Sequence, residues 1–227
     1  MLGKRRPAVK ALENKEDIAV QTIVDAVRSD IIAGRIPADS VINSVELAAR
    51  FGTSRTPVRE ALLVLAHHGL VILETHKRPR VAPVSVQAIR DLYGLRMALH
   101  AHLSDIIVHQ ASDADLADLH AQAQWLAQHG AQLALEDHLR GIERYLDTEY
   151  RLGGNALILQ VLASLQWRIA WFRRLGWLSP AQLAEMGRDR LRVVEAYQER
   201  DAVLAGALNQ AMLRKSARYT ERNFLAR

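Results

Sequence analysis

The sequence predicts a mainly helical chain: a small N-terminal domain of three helices and a β-hairpin, then an antiparallel, all-helical C-terminal bundle of about six helices. Three observations carry this expectation. Apolar residues recur at helical spacing along most of the chain, two short extended runs occur close together between Leu70 and Val84, and no strand pattern returns after Ser85. The expected division is a flexible basic tail over residues 1–17, an N-terminal domain over 18–84 and a helical domain over 85–227.

Lys4, Arg5, Arg6, Lys10 and Lys15 make the tail basic, and it has few large apolar groups to bury. From Ile18 to about Ala33, Ile23, Val27 and Ile31 define one apolar helical face, which Gly34 and Pro37 terminate. Ser44 is placed to cap a short second helix bearing Leu47, Ala48 and Phe51, with Gly52 as its stop. A third helix is expected from about Ser54 to His68, with Ser54 or Thr56 as cap, Pro57 in the first turn and Gly69 after its end. Leu70–Leu73 and Arg80–Val84 then read as the strands of a hairpin, and Pro79 and Pro83 confine them to sheet edges. Beyond Ser85, helices are expected at about 86–110, 113–129, 132–152, 155–175, 180–199 and 201–224. Ser112 with Asp115 resembles a capping box, Gly130 and Gly153-Gly154 are breakers, and Ser179-Pro180 is a cap followed by proline at the first helical position.

Composition narrows the function classes. The 227 residues carry a formal charge of +5 and no cysteine, so disulfides and thiolate metal sites are excluded. The richest apolar stretch, Asn155–Trp171, is broken by Gln160, Gln166 and Arg168, short of the roughly 20 residues a membrane helix needs. The N-terminus lacks the apolar core of a secretory signal, which points to a cytoplasmic protein with no membrane partner. A basic balance suits a polyanionic partner, because Lys and Arg that neutralise phosphates release counterions.

Helix, tight turn, second helix and basic hairpin form the plan of a winged helix-turn-helix, whose second helix enters the DNA major groove. At 100° per residue, Arg55, Thr56, Arg59 and Glu60 share a sector distinct from that of Val58, Ala61, Leu62 and Leu65, so the helix is able to pack and read at once. Arg55 and Arg59 are the main expected contacts, to bases or to phosphates. Ser54 and Thr56 add hydroxyls at the helix N-terminus, and His76, Lys77 and Arg78 at the hairpin tip are placed to reach a groove or the flanking backbone.

The segment from Gly52 through Thr-Ser-Arg-Thr-Pro-Val-Arg-Glu-Ala to Leu62, with Ile32-Ala-Gly-Arg-Ile-Pro37 before it and Ala66–Leu70 after it, resembles the N-terminal signature of the GntR family of bacterial regulators. The resemblance implies operator contacts at Ser54, Arg55, Thr56 and Arg59. The chain departs from it at Val45, where many members have a polar residue or arginine, and at His76, Lys77 and Arg78, where a glycine-containing turn is usual. The stretches Asp91–Leu99 and Ala111–Leu116, with Gly154-Asn155, are similar to the FCD-type helical ligand-binding domain of the FadR subgroup. That resemblance extends to nearly the whole chain.

Many members of that subgroup use an aspartate and three histidines to hold a divalent metal that helps bind a carboxylate effector. Counted from Gly154-Asn155 and from Asp201, those positions fall here on Ile142, Leu146, Arg190 and Met212, so the resemblance implies a domain whose metal ligands are lost. All nine histidines lie at or before His138, which leaves the last two helices without one. No metal or other cofactor is expected, and His100, His102, His109, His120, His129 and His138 read as surface or satisfied interior histidines. Ile142, Leu146 and Met212 would form an apolar wall beside Tyr145, with Arg190 and Arg96 as anchors for the anionic head of a small effector.

The expectation is a sequence-specific DNA-binding transcriptional regulator, a homodimer on a pseudo-palindromic operator in double-stranded DNA, whose affinity a small anionic effector modulates. The alternatives are an architectural DNA-binding dimer without an effector and, remotely, an enzyme. The enzyme reading finds no cysteine nucleophile, no phosphate-cradling glycine loop and no His-Glu-x-x-His helix.

Overall fold

A computed structural model describes the backbone of residues 7–226 and the side chains of residues 18–226. Among the described residues, those through Val84, together with 164–171, form one compact unit, and residues 85–163 with those from Phe172 onward form a second.

In the first unit, helix α1 runs Pro7–Ile32, α2 Ser44–Arg50 and α3 Arg55–His67. Helix α1 takes in residues 7–17, which carry no apolar stripe but also no glycine or internal proline, and are rich in helix-forming Ala, Lys, Glu and Leu. The first six residues of the expected tail lie outside the described residues. Ile23, Val24, Val27 and Ile31 are buried, and α1 packs against α3 through Val58, Ala61, Leu62 and Leu65. The cap of α2 is Asn43 rather than Ser44: its side-chain oxygen accepts from the Val45 N–H at 3.0 Å, while its amide donates to Glu46 at 2.7 Å. Between α2 and α3 the chain turns at Gly52, whose φ of 60° is left-handed, and the Thr53 N–H returns to the Ala48 carbonyl at 3.0 Å. That conformation makes the turn tight.

Strands β1 (Val71–Ile72) and β2 (Arg80–Val81) pair antiparallel, Val71 opposite Val81 and Ile72 opposite Arg80. The strands are shorter than the pattern suggested, and their outer edge is covered by residues 40–42: Val81 N–H donates to Ser40 and Ile42 N–H to Pro79. Asp30, buried at the end of α1, ties this region together by accepting from Arg35 at 2.6 Å and from Arg50 at 2.7 Å.

The second unit is built from α4 (Val86–Gln110), α5 (Asp113–His129), α6 (Leu135–Gly153), α7 (Ala156–Leu175), α8 (Pro180–Gln198) and α9 (Ala202–Leu225), with residues 164–171 of α7 grouped in the first unit. Side chains set these ends: Ser112 accepts from the Asp115 N–H, and Ser179 and Gln182 form a reciprocal capping box. Helix α4 packs along α9, and α5 packs against α8 and α6. Ile107, Leu119, Leu126, Tyr145, Val193 and Tyr197 are among the residues of the shared core. At Gly187 a Cβ would stand 2.8 Å from the backbone of Ala127, so α5 and α8 approach closely there. Gly187→Val is expected to force these helices apart and cost roughly 1–3 kcal/mol, read as a lowered denaturation midpoint.

Candidate functional site

Two surfaces of different character emerge, one in each unit. On α3 the buried stripe of Val58, Ala61, Leu62 and Leu65 fixes which way the helix turns its other side, and Ser54, Arg55, Thr56 and Arg59 are all exposed on that side. Ser54 occupies the cap position in extended conformation without committing its hydroxyl to a backbone N–H, so its oxygen and the free N–H groups of the first turn face outward together. Among the described residues, neither Arg55 nor Arg59 has a salt-bridge partner. Two unengaged guanidinium groups one helical turn apart suit phosphate oxygens or a guanine edge.

The hairpin tip holds His76, Lys77 and Arg78, all exposed. His76 has a φ of 62°, so a non-glycine residue takes the left-handed position of this turn. Lys77 is paired with Glu74, which reduces the charge it offers to a phosphate. Val45 is 60% exposed at the start of α2 and offers an outside surface only an apolar contact.

In the second unit, α4, α6, α7, α8 and α9 enclose a cavity of about 60 Å³. At ~10–15 Å³ per water, that is room for about four waters or a small organic ligand. All six residues expected at an effector site line it: Arg96, Ile142, Tyr145, Leu146, Arg190 and Met212. His100, His138, Glu149, Arg173 and Trp177, which pattern and resemblance did not single out, line it as well. Ile142, Leu146, Leu183, Met186 and Met212 make the apolar part of the wall. The polar part is organised by Glu149, whose Oε1 accepts from the Tyr197 hydroxyl at 3.0 Å and from the Tyr145 hydroxyl at 3.2 Å. Arg190 lies 5.1 Å from the centre of the Tyr145 ring, and Arg96 lies 5.0 Å from that of Tyr93.

Residues 19–81 match the family model described as "Bacterial regulatory proteins, gntR family", and residues 91–215 match that described as "FCD domain". The chain belongs to the GntR family of bacterial regulators. Among similar proteins is an HTH-type transcriptional regulator in an unstable DNA locus of Streptomyces ambofaciens, 27% identical over 204 residues that cover 88% of this chain and 82% of that one. Another is the HTH-type transcriptional repressor GlaR of Escherichia coli K12, 31% identical over 100 residues, covering 44% of this chain and 46% of that one. The solved structure of E. coli McbR/YncC aligns over 91% of this chain and 98% of its own, with a TM-score of 0.72 and 17% identity, a likeness of fold. This GntR protein, with its FCD domain, is a DNA-binding transcriptional regulator and not an enzyme.

Metal-binding members of the FadR subgroup hold their cation with an aspartate and three histidines, and this GntR regulator's cavity does not offer that chemistry. Ile142 and Leu146 have no donor atom, Met212 has only a soft thioether, and Arg190 is itself a cation. Among the described residues no group of three or more histidines and carboxylates is arranged to hold a metal ion.

Cationic side chains dominate the field instead. Burial, with help from Arg96, brings the Arg173 guanidinium down to about 10, and burial also lowers Arg190. His100 is held well below the usual histidine value of 6.5 by burial first and then by Arg96, Arg173 and Arg190. Its Nε2 meets the Tyr150 hydroxyl at 3.2 Å, while its Nδ1 is buried without a hydrogen bond, 3.6 Å from Glu149. His100 is therefore not the fully satisfied interior histidine that its spacing suggested, because one ring nitrogen is hydrogen-bonded and the other, beside Glu149, is not. His138 does fit that description, with its Nδ1 2.9 Å from the Gly130 carbonyl.

These shifts give a pH dependence with a defined sign. Because the folded pKa of His100 is depressed, its contribution to stability is complete above 6.5 and is lost as pH falls below it, where the unfolded chain binds a proton that the folded chain refuses. Burial raises Glu149, so its contribution is complete below its ordinary 4.5 and fades as pH rises through the folded value. Thermal midpoints followed from pH 4 to 8 are expected to fall less steeply toward acid below 6.5 in His100→Gln than in the wild type, and less steeply as pH rises from 4.5 in Glu149→Gln. Identical profiles in all three proteins would contradict this assignment.

Proposed function

We propose that this GntR regulator acts as a homodimer in the cytoplasm on a pseudo-palindromic operator, which it reads with the N-terminal face of α3, and that a small anion in the cavity of the second unit modulates its affinity. The exposed, unengaged quartet of Ser54, Arg55, Thr56 and Arg59 carries this reading. One recognition helix spans only a few base pairs, so useful specificity requires a second copy related by a two-fold axis. Arg78 and the paired Lys77 on the hairpin add phosphate contacts that fix register. The effector acts by binding one arrangement of the dimer better than the other, and shifts operator affinity only by that difference.

Binding-site selection from random DNA tests the reading. The expected result is an inverted repeat whose half-site centres are separated by about one or two helical turns, bound by a dimer with steep salt dependence. Enrichment of a single unrepeated site, or salt dependence without any sequence preference, would contradict it.

A further inference from the structure

The charges around the cavity do not balance. Arg96, Arg173 and Arg190 are the arginines that line it and Glu149 is its one carboxylate, so three positive groups against one negative leave a surplus of two. Glu149 is already engaged by two tyrosine hydroxyls. Nε and Nη1 of Arg96, on a side chain 2% exposed, and Nε of Arg190, on one 7% exposed, are buried without a hydrogen-bond partner. Burying a guanidinium with unsatisfied donors is costly, and Met186 and Met212 on the same wall are apolar side chains of similar length that carry no such cost. The cations are thus the expensive choice for merely filling space.

We propose that the cavity is built for a small aliphatic dicarboxylate, held without a metal, with Arg96 and Arg190 receiving carboxylate oxygens while Arg173 completes the charge balance. This rests on the reading of the cavity as the effector site and specifies what that effector is. The arginines stand on three different helices, α4, α7 and α8, beside an aliphatic wall. Separate cationic groups beside an apolar surface suit two anionic ends joined by methylenes better than one compact phosphate. A volume of about 60 Å³ matches a chain of a few carbons. The same three arginines set the field at His100, so they act on one region of the cavity.

Calorimetric titration of the full-length protein, in buffer free of polyvalent anions and with a chelator present, tests this with straight-chain dicarboxylates of three to six carbons, their half-amides and inorganic phosphate. The expected result is that at least one dicarboxylate binds about thirty-fold or more tightly than its half-amide, because the neutral amide leaves a buried cation unpaired. Arg96→Met is expected to remove that discrimination while leaving the melting temperature of the ligand-free protein unchanged or higher. Arg190→Gln is expected to weaken the same dicarboxylate. Half-amides that bind as well as dicarboxylates, phosphate that outcompetes them all, or an Arg96→Met protein that melts several degrees lower would overturn the dicarboxylate proposal while leaving an anion site in place. If none of these anions binds, the effector reading of the cavity fails with it.

Discussion

Replacing Arg55 and Arg59 together by alanine is expected to weaken binding to the selected operator by roughly a thousand-fold, or about 4 kcal/mol, with no change in the thermal midpoint. The size follows from two charged contacts of ~1–3 kcal/mol each against a duplex edge or backbone. The unchanged stability follows from the structure, since both side chains are exposed and neither is engaged in a salt bridge among the described residues. The single variants separate two roles. An arginine that reads a base relaxes specificity at one position when it is removed, whereas one that holds a phosphate weakens all sequences alike and lowers the salt slope by about one. An operator affinity within a factor of three of the wild type in the double variant would show that α3 does not enter the duplex.

The second large effect is one of stability. Glu149→Leu is expected to destabilise the protein by about 3 kcal/mol, lowering its melting temperature by roughly 6–12 °C. Two buried hydroxyls, those of Tyr145 and Tyr197, lose their shared acceptor, and the three arginines lose the carboxylate that lines the cavity with them. Glu149→Gln keeps a carbonyl oxygen for both hydroxyls and is expected to lose less than half as much. A tight-binding dicarboxylate is expected to restore part of the midpoint of Glu149→Leu, because it supplies the missing negative charge. Equal stability of the leucine and glutamine variants would mean that the acceptor shared by the two hydroxyls contributes nothing.

The parts of this structure that were legible from the sequence were those governed by local chemistry. Helix ends marked by a capping serine or a breaking glycine fell where expected: α5 spans Asp113–His129 behind Ser112, α8 spans Pro180–Gln198 behind Ser179, and α6 ends at Gly153 before Gly154 takes a φ of 56°. The exposed face of α3 was legible because a period of 3.6 assigns every residue to one side or the other. The early start of α1 was not, since residues 7–17 have helical propensity but no apolar stripe. Nor was the pairing of residues 40–42 with the hairpin, which depends on a non-local contact and has no pattern of its own.

The cavity divides in the same way. Ile142, Leu146, Arg190 and Met212 came together only through family resemblance, since no period links α6, α8 and α9. Glu149 sits two turns beyond Ile142 on a helix rich in charged residues, and Arg173 follows Phe172 near the end of α7. Nothing local distinguishes either from a solvated charge. Only the packing of the helices turns them inward, and only then does the surplus of guanidinium groups become visible.

Operator affinity at one ionic strength, with and without the tightest dicarboxylate, tests the account most directly when wild type and Arg96→Met are compared side by side. The wild-type affinity is expected to change by about five-fold or more, within the usual range of coupling between two sites, and that of Arg96→Met to stay fixed. A wild-type affinity indifferent to the saturating dianion, or a response that survives in Arg96→Met, would contradict it.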